Sequence, residues 1–118
     1  MVFTKKLCYT DSKGTFEPIN KEDIPMQLTV RQPSASEDAK HYTTERLRGE
    51  YLIETVFAPD DAILTYSHFD RIIAGGVMPV SKSVELVGCK ELASDTFLQR
   101  REMGVINIGG KGKIAVDG

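Results

Sequence analysis

The residues in this sequence with chemistry to offer are two histidines, two cysteines and a few clusters of arginine with carboxylates. His41 lies in Lys40-His41-Tyr42 and His68 in Tyr66-Ser67-His68-Phe69-Asp70-Arg71, and neither has a second histidine at ligand spacing. Zinc needs three or four convergent donors, and structural sites usually draw two of them from a close pair in the chain. Adding Cys8 and Cys89 supplies no such pair, so these residues spell no metal motif. His68 keeps two readings: a group that moves protons, or a partly buried strand histidine hydrogen-bonded to a neighbour.

Asp70-Arg71 and Arg100-Arg101-Glu102 set opposite charges side by side. The planar fork of arginine can hold a carboxylate through two parallel hydrogen bonds, so either cluster suits an acidic sugar. His68, Arg71, Arg100 and Arg101 are therefore the candidate substrate-binding residues. The competing reading of the charged clusters is structural, an ion pair or a subunit contact, because neighbouring residues on a strand point to opposite faces.

Gly109-Gly110-Lys111-Gly112 is glycine-rich like a phosphate loop, but it matches neither standard spacing and no helical pattern follows to present an N-terminal dipole. A turn between strands is the better reading. Cys89, between Gly88 and Lys90, would be activated only if the lysine lowered its pKa. With no base partner in view, it is expected to be an inert thiol.

These side chains must be positioned by elements that the pattern also predicts. Ser34 to Gly49 reads as helical, with Ser34 or Ser36 as N-cap, Glu37 and Asp38 in the first turn, Arg46 and Arg48 near the end and Gly49 as the stop. The β-branched pair Thr43-Thr44 interrupts it, so two short helices with Thr44 capping the second fit equally well. From Tyr51 to Phe57 the period changes to two, which predicts a strand, and Ala58-Pro59-Asp60-Asp61 predicts a turn. Further strands are expected at Ile63–Ser67, Arg71–Ala74, Val77–Pro79, Val84–Val87, Thr96–Gln99 and Lys113–Val116. Gly75-Gly76 marks a bulge or a close backbone approach, and Glu91–Ser94 a helical turn. Many short strands between Gly, Pro and Asp turns predict a mainly β fold, an antiparallel sandwich or barrel with a short helical segment near its start.

Composition supports one globular domain of 118 residues, with 41% hydrophobic and 27% charged residues. Fifteen basic against seventeen acidic residues, a formal charge of −2, lack the basic excess of a nucleic-acid binder. The longest apolar runs, such as Ala62-Ile63-Leu64, fall far short of the roughly 20 residues that span a bilayer. No signal-peptide pattern follows Lys5-Lys6, and the expectation is a cytoplasmic protein with free thiols.

The blocks Leu47-Arg48-Gly49-Glu50-Tyr51-Leu52-Ile53-Glu54-Thr55-Val56-Phe57, Tyr66 through Pro79 and Phe97-Leu98-Gln99-Arg100-Arg101-Glu102-Met103-Gly104-Val105-Ile106-Asn107-Ile108-Gly109-Gly110 resemble the 5-keto-4-deoxyuronate isomerases, also called 4-deoxy-L-threo-5-hexosulose-uronate ketol-isomerases. The likeness runs from Leu47 to Gly118, and more weakly back to Met26. It implies a bacterial enzyme of two cupin halves, each a β-sandwich or double-stranded β-helix, assembled as a hexamer. It also implies the interconversion of 5-dehydro-4-deoxy-D-glucuronate and 3-deoxy-D-glycero-2,5-hexodiulosonate during pectin breakdown. In that family a His-x-His pair, a nearby glutamate and a distant histidine hold zinc in the second half. No residue here matches those ligands, which the resemblance places beyond Gly118, so no catalytic residue is carried over.

Domain organisation follows from the same reading. Residues 1–25 are expected to form a poorly structured extension, and residues 26–118 a cupin-like half cut within its sheet. Lys21-Glu22-Asp23 can be encoded as AAG GAG GAC, a ribosome-binding sequence, so Met26 is an alternative start. Asp117-Gly118 is a strong hairpin signal directly after Lys113–Val116, which is therefore expected to lack its partner strand. The chain is expected to be part of something longer and to show no isomerase activity or zinc binding alone. A non-catalytic assembly module, or a sugar-acid binding module using Arg100 or Arg101, is the alternative function.

Overall fold

The centre of the molecule is the segment Ala62-Ile63-Leu64-Thr65-Tyr66-Ser67, whose β-branched and aromatic residues suit a pleated surface covered on both faces. The computed structural model describes the strand backbone at residues 7–10 and all of residues 26–116. In chain order its elements are β1 (Leu7–Thr10), β2 (Met26–Arg31), α1 (Ser36–Ala39), α2 (Thr44–Tyr51), β3 (Ala62–Ser67), β4 (Ile72–Val77), β5 (Val84–Leu86), a single 3₁₀ turn (Lys90–Leu92) and β6 (Lys113–Val116).

The described strands form two three-stranded sheets, ordered β2-β3-β4 and β5-β1-β6, and neither closes on itself. β3 pairs with β2 in parallel, Leu28 opposite Leu64, and with β4 antiparallel, Leu64 opposite Gly75. A parallel pair cannot be joined by a tight turn, and the long return from β2 to β3 is where the two helices sit. Leu64 and Tyr66 of the first sheet share one buried cluster with Val84 and Leu86 of the second, sealed by Leu92 and Phe97. The fold is mainly β, an incomplete β-sandwich with a short helical segment, as the strand pattern predicts; the β2–β3 pair is the exception to the antiparallel expectation. Among the described residues, no helix is long and apolar enough to cross a membrane.

The helical stretch resolves into two short helices. Thr43, rather than Thr44, caps the second, its hydroxyl accepting from the Arg46 N–H at 3.3 Å. Gly49 does not stop it, because the ladder continues to the Leu52 N–H, which donates to the Arg48 carbonyl at 3.0 Å. The first helix is preceded by Ala35 with no side-chain cap. Tyr51–Phe57 is not a strand: Tyr51 ends α2 and residues 52–58 are irregular. The Arg31 guanidinium clamps this exit, donating to the Leu52 carbonyl at 2.6 Å and the Glu50 carbonyl at 3.4 Å. Capping and i→i−4 bonding thus outweigh the two-residue alternation here.

Thr96–Gln99 is likewise a turn, with the Gln99 N–H donating to the Thr96 carbonyl at 3.3 Å. Four residues of alternation cannot separate a strand from a turn that drops Phe97 into the core. Gly75-Gly76 does mark a close approach. A Cβ on Gly75 would collide with the Ile63 carbonyl oxygen, and one on Gly76 with the Phe57 ring and the Val56 carbonyl. The strand Lys113–Val116, expected to be unpartnered, pairs antiparallel with Leu7–Thr10. That partner lies at the other end of the chain, where no local turn signal points to it. Most of the expected 1–25 extension, and the Asp117-Gly118 turn, lie outside the described residues.

Candidate functional site

A cavity of about 940 Å³ opens between the two sheets. Its wall is largely apolar, built from Leu64 on β3, Val77 on β4, Val84 and Leu86 on β5, and Phe97. Among the described residues, the charged ones on that wall are Arg71, Arg101 and Glu102. Arg71 ends the β3–β4 turn in the left-handed region, at φ 52°, an uncommon conformation for a long side chain that faces solvent here. Arg101 is half-buried and lays its guanidinium over the Tyr66 ring, 5.0 Å from its centroid, within cation–π range.

The structure thus brings two of the four candidates, Arg71 and Arg101, to one cavity. Arg100 is exposed and does not line it. His68 is half-buried at the end of β3, where its ring lies 4.4 Å from that of Tyr66 and its N–H donates to the Arg31 carbonyl at 3.0 Å. Tyr66 is also the ring that the Arg101 guanidinium overlies. Sequence reading missed Tyr66 as an organiser, because the ring contact with His68 is made just past the end of β3, where strand alternation no longer applies. Asn107 was also missed. Its side chain accepts from the Gly109 N–H at 3.0 Å and donates to the Gly110 carbonyl at 2.9 Å, so the glycine-rich segment is an Asn-held bend before β6.

The ion-pair form of the structural reading of Asp70-Arg71 and Arg100-Arg101-Glu102 finds no such pair among the described residues. The pairs that do form join Lys40 to Glu37 at 2.7 Å, Arg46 to Glu50 at 3.9 Å, and Arg48 to Glu54. All three lie in or just after the helical segment, away from the cavity arginines.

Displaced pKa values often mark active sites, yet the three clear cases among the described residues lie away from the cavity. Asp60 is held far below the ordinary carboxylate range by the Ser81 hydroxyl first, then by the backbone N–H groups of Val80, Ser81 and Lys82. Those groups donate to it at 2.5, 2.7, 2.7 and 3.1 Å, a latch for the loop after β4. The Cys89 thiol is pushed up by burial, with a further contribution from Glu91, so Lys90 does not activate it. Glu91 is lowered by its own backbone N–H and by Cys89.

Zinc would require at least three donors in one place. No group of three His, Cys, Asp or Glu side chains converges among the described residues, so these residues do not fit the zinc that the resemblance implies.

No family model matches the chain. Curated relatives do. A 4-deoxy-L-threo-5-hexosulose-uronate ketol-isomerase of Lachnoclostridium phytofermentans is 50% identical over 91 residues, which is 77% of this chain and 33% of the relative. One of Enterococcus faecalis is 52% identical over 91 residues, again 77% and 33%. One of Yersinia pestis is 55% identical over 94 residues, 77% of this chain and 34% of the relative. The chain is homologous to a third of a uronate ketol-isomerase. It spans about a third of the length of these relatives, and the matched span covers 77% of the chain. Among the described residues, the cavity lined by Arg71 and Arg101 is the candidate binding site.

Proposed function

We propose that this chain serves the isomerisation of 5-dehydro-4-deoxy-D-glucuronate to 3-deoxy-D-glycero-2,5-hexodiulosonate in pectin breakdown, as the cupin-like part of a ketol-isomerase that does not carry the zinc. The observation supporting this is the 50–55% identity to uronate ketol-isomerases. A ketol-isomerase must polarise a carbonyl, stabilise enediolate-like charge and move a proton between neighbouring carbons. A metal supplies the first two when bound. The residues of this chain offer apolar walls and two cationic forks, which bind and orient a sugar acid without performing those steps. The same reading takes the zinc ligands to lie beyond Gly118, and the complete protein to be a cytoplasmic homo-oligomer, a hexamer as in the family.

The test is turnover by the purified 118-residue chain. The expected result is none above background and no stoichiometric zinc; chelator-sensitive turnover overturns the reading.

A second reading, a sugar-acid binding module, is favoured by one specific observation: Arg71 and Arg101 line the same cavity. Calorimetry with galacturonate should then give a saturable signal that Arg71→Gln and Arg101→Gln each weaken by about tenfold, the size of one lost charge-assisted contact of about 1.4 kcal/mol. A signal unchanged by both substitutions removes this reading.

A further inference from the structure

Tyr66 stands where the central strand meets the segment that carries Arg101. It lies on β3, the middle strand of its sheet, opposite Val30 of β2 on one side and Ile73 of β4 on the other, and it is only 6% exposed. Two side chains close on its ring: the His68 imidazole, with ring centroids 4.4 Å apart, and the Arg101 guanidinium, 5.0 Å from the centroid. A buried ring between two strands is a fixed platform, because side chains in a close-packed interior rest in single rotamers.

The chain around Arg101 is fixed as well. Phe97 belongs to the buried core, Leu98 and Met103 pack against that core, and the Arg101 N–H donates to the Leu98 carbonyl at 3.5 Å. An arginine free in solvent surrenders rotamer freedom when it grips a carboxylate, and one already held in place surrenders less. A ring can do the holding without competing for the grip. It attracts the cation through its quadrupole, whereas a carboxylate neighbour would occupy the planar fork of hydrogen-bond donors. Among the described residues, the rings beneath a guanidinium are Tyr66 under Arg101 and Tyr42 under Arg46, so Arg71 has no such platform.

We infer that Tyr66 is a positioning residue: its ring holds the Arg101 guanidinium at the cavity wall, set to take the carboxylate of a sugar acid. The role is specific to one of the two cavity arginines. This inference rests on the sugar-acid binding reading.

The test is a set of galacturonate titrations by calorimetry on the full 118-residue chain. Tyr66→Phe keeps the ring and should leave the affinity within about twofold, whereas Tyr66→Leu should weaken it about fivefold. That loss should persist in an Arg71→Gln background and vanish in an Arg101→Gln background, the non-additivity of two groups that act as one. A purely structural role gives the same loss in both. Equal losses in the two backgrounds, an unchanged affinity in Tyr66→Leu, or a Tyr66→Phe as weak as Tyr66→Leu overturns the role of Tyr66 and leaves the binding reading standing; no saturable signal from the unaltered chain overturns both. Where circular dichroism shows that Tyr66→Leu fails to fold, the unaltered chain and Tyr66→Phe are read by NMR instead. The Arg101 Nε–H resonance should stand upfield from the ring current in both and move when galacturonate is added; a resonance with no upfield shift, or one that galacturonate leaves in place, overturns the proposal.

Discussion

Asp60 shows how one side chain fixes a loop. Its backbone sits at φ 57°, which Asp and Asn tolerate better than most residues, and its carboxylate gathers three backbone N–H groups and a hydroxyl. Because its pKa is lowered in the folded state, the stabilisation is present above the ordinary value of 3.8 and fades as pH falls toward the folded value. Thermal midpoints recorded downward from pH 5 should therefore decline, and the decline should be shallower in Asp60→Asn, which suits the backbone but cannot titrate. Equal slopes would show that the latch carries no pH dependence. Cys89 makes the opposite case. With its thiol pushed up by burial and Glu91, its iodoacetamide labelling at pH 8 should be several-fold slower than that of glutathione, read on the Cys89 peptide by mass spectrometry. Labelling at the glutathione rate would contradict the burial.

At the scale of elements, two glycines with opposite environments separate propensity from packing. Gly49 lies inside α2 with nothing within 4 Å of a would-be Cβ, so Gly49→Ala should stabilise the protein by about 0.5–1 kcal/mol in denaturant unfolding. Gly75 faces the backbone of Ile63 and Leu64, and Gly75→Ala should destabilise by about 1–3 kcal/mol by the same measurement. Much of this was legible in the sequence. The strand at Ile63–Ser67, the close approach at Gly75-Gly76 and the interruption at Thr43-Thr44 all follow from local rules. The extended reading of Tyr51–Phe57 failed because Thr43 and Arg31 hold the chain from outside that window. The partner of Lys113–Val116 was illegible for a related reason, since pairing with Leu7–Thr10 is a contact between distant parts of the chain. Of the candidate site, arginines were found by type, but only the fold separates Arg101 on the cavity wall from Arg100 outside it.

For the whole molecule, two open sheets share one small core, leave an apolar rim and carry two arginines toward the space between them. No group of three His, Cys, Asp or Glu side chains that could hold a metal ion converges among the described residues. The central proposal is that this chain, which spans about a third of the relatives' length, does not perform the isomerisation by itself. Turnover of 5-dehydro-4-deoxy-D-glucuronate by the purified chain, with and without added zinc, tests it most directly. The account predicts no turnover above background with or without zinc; chelator-sensitive turnover by the isolated chain would contradict it.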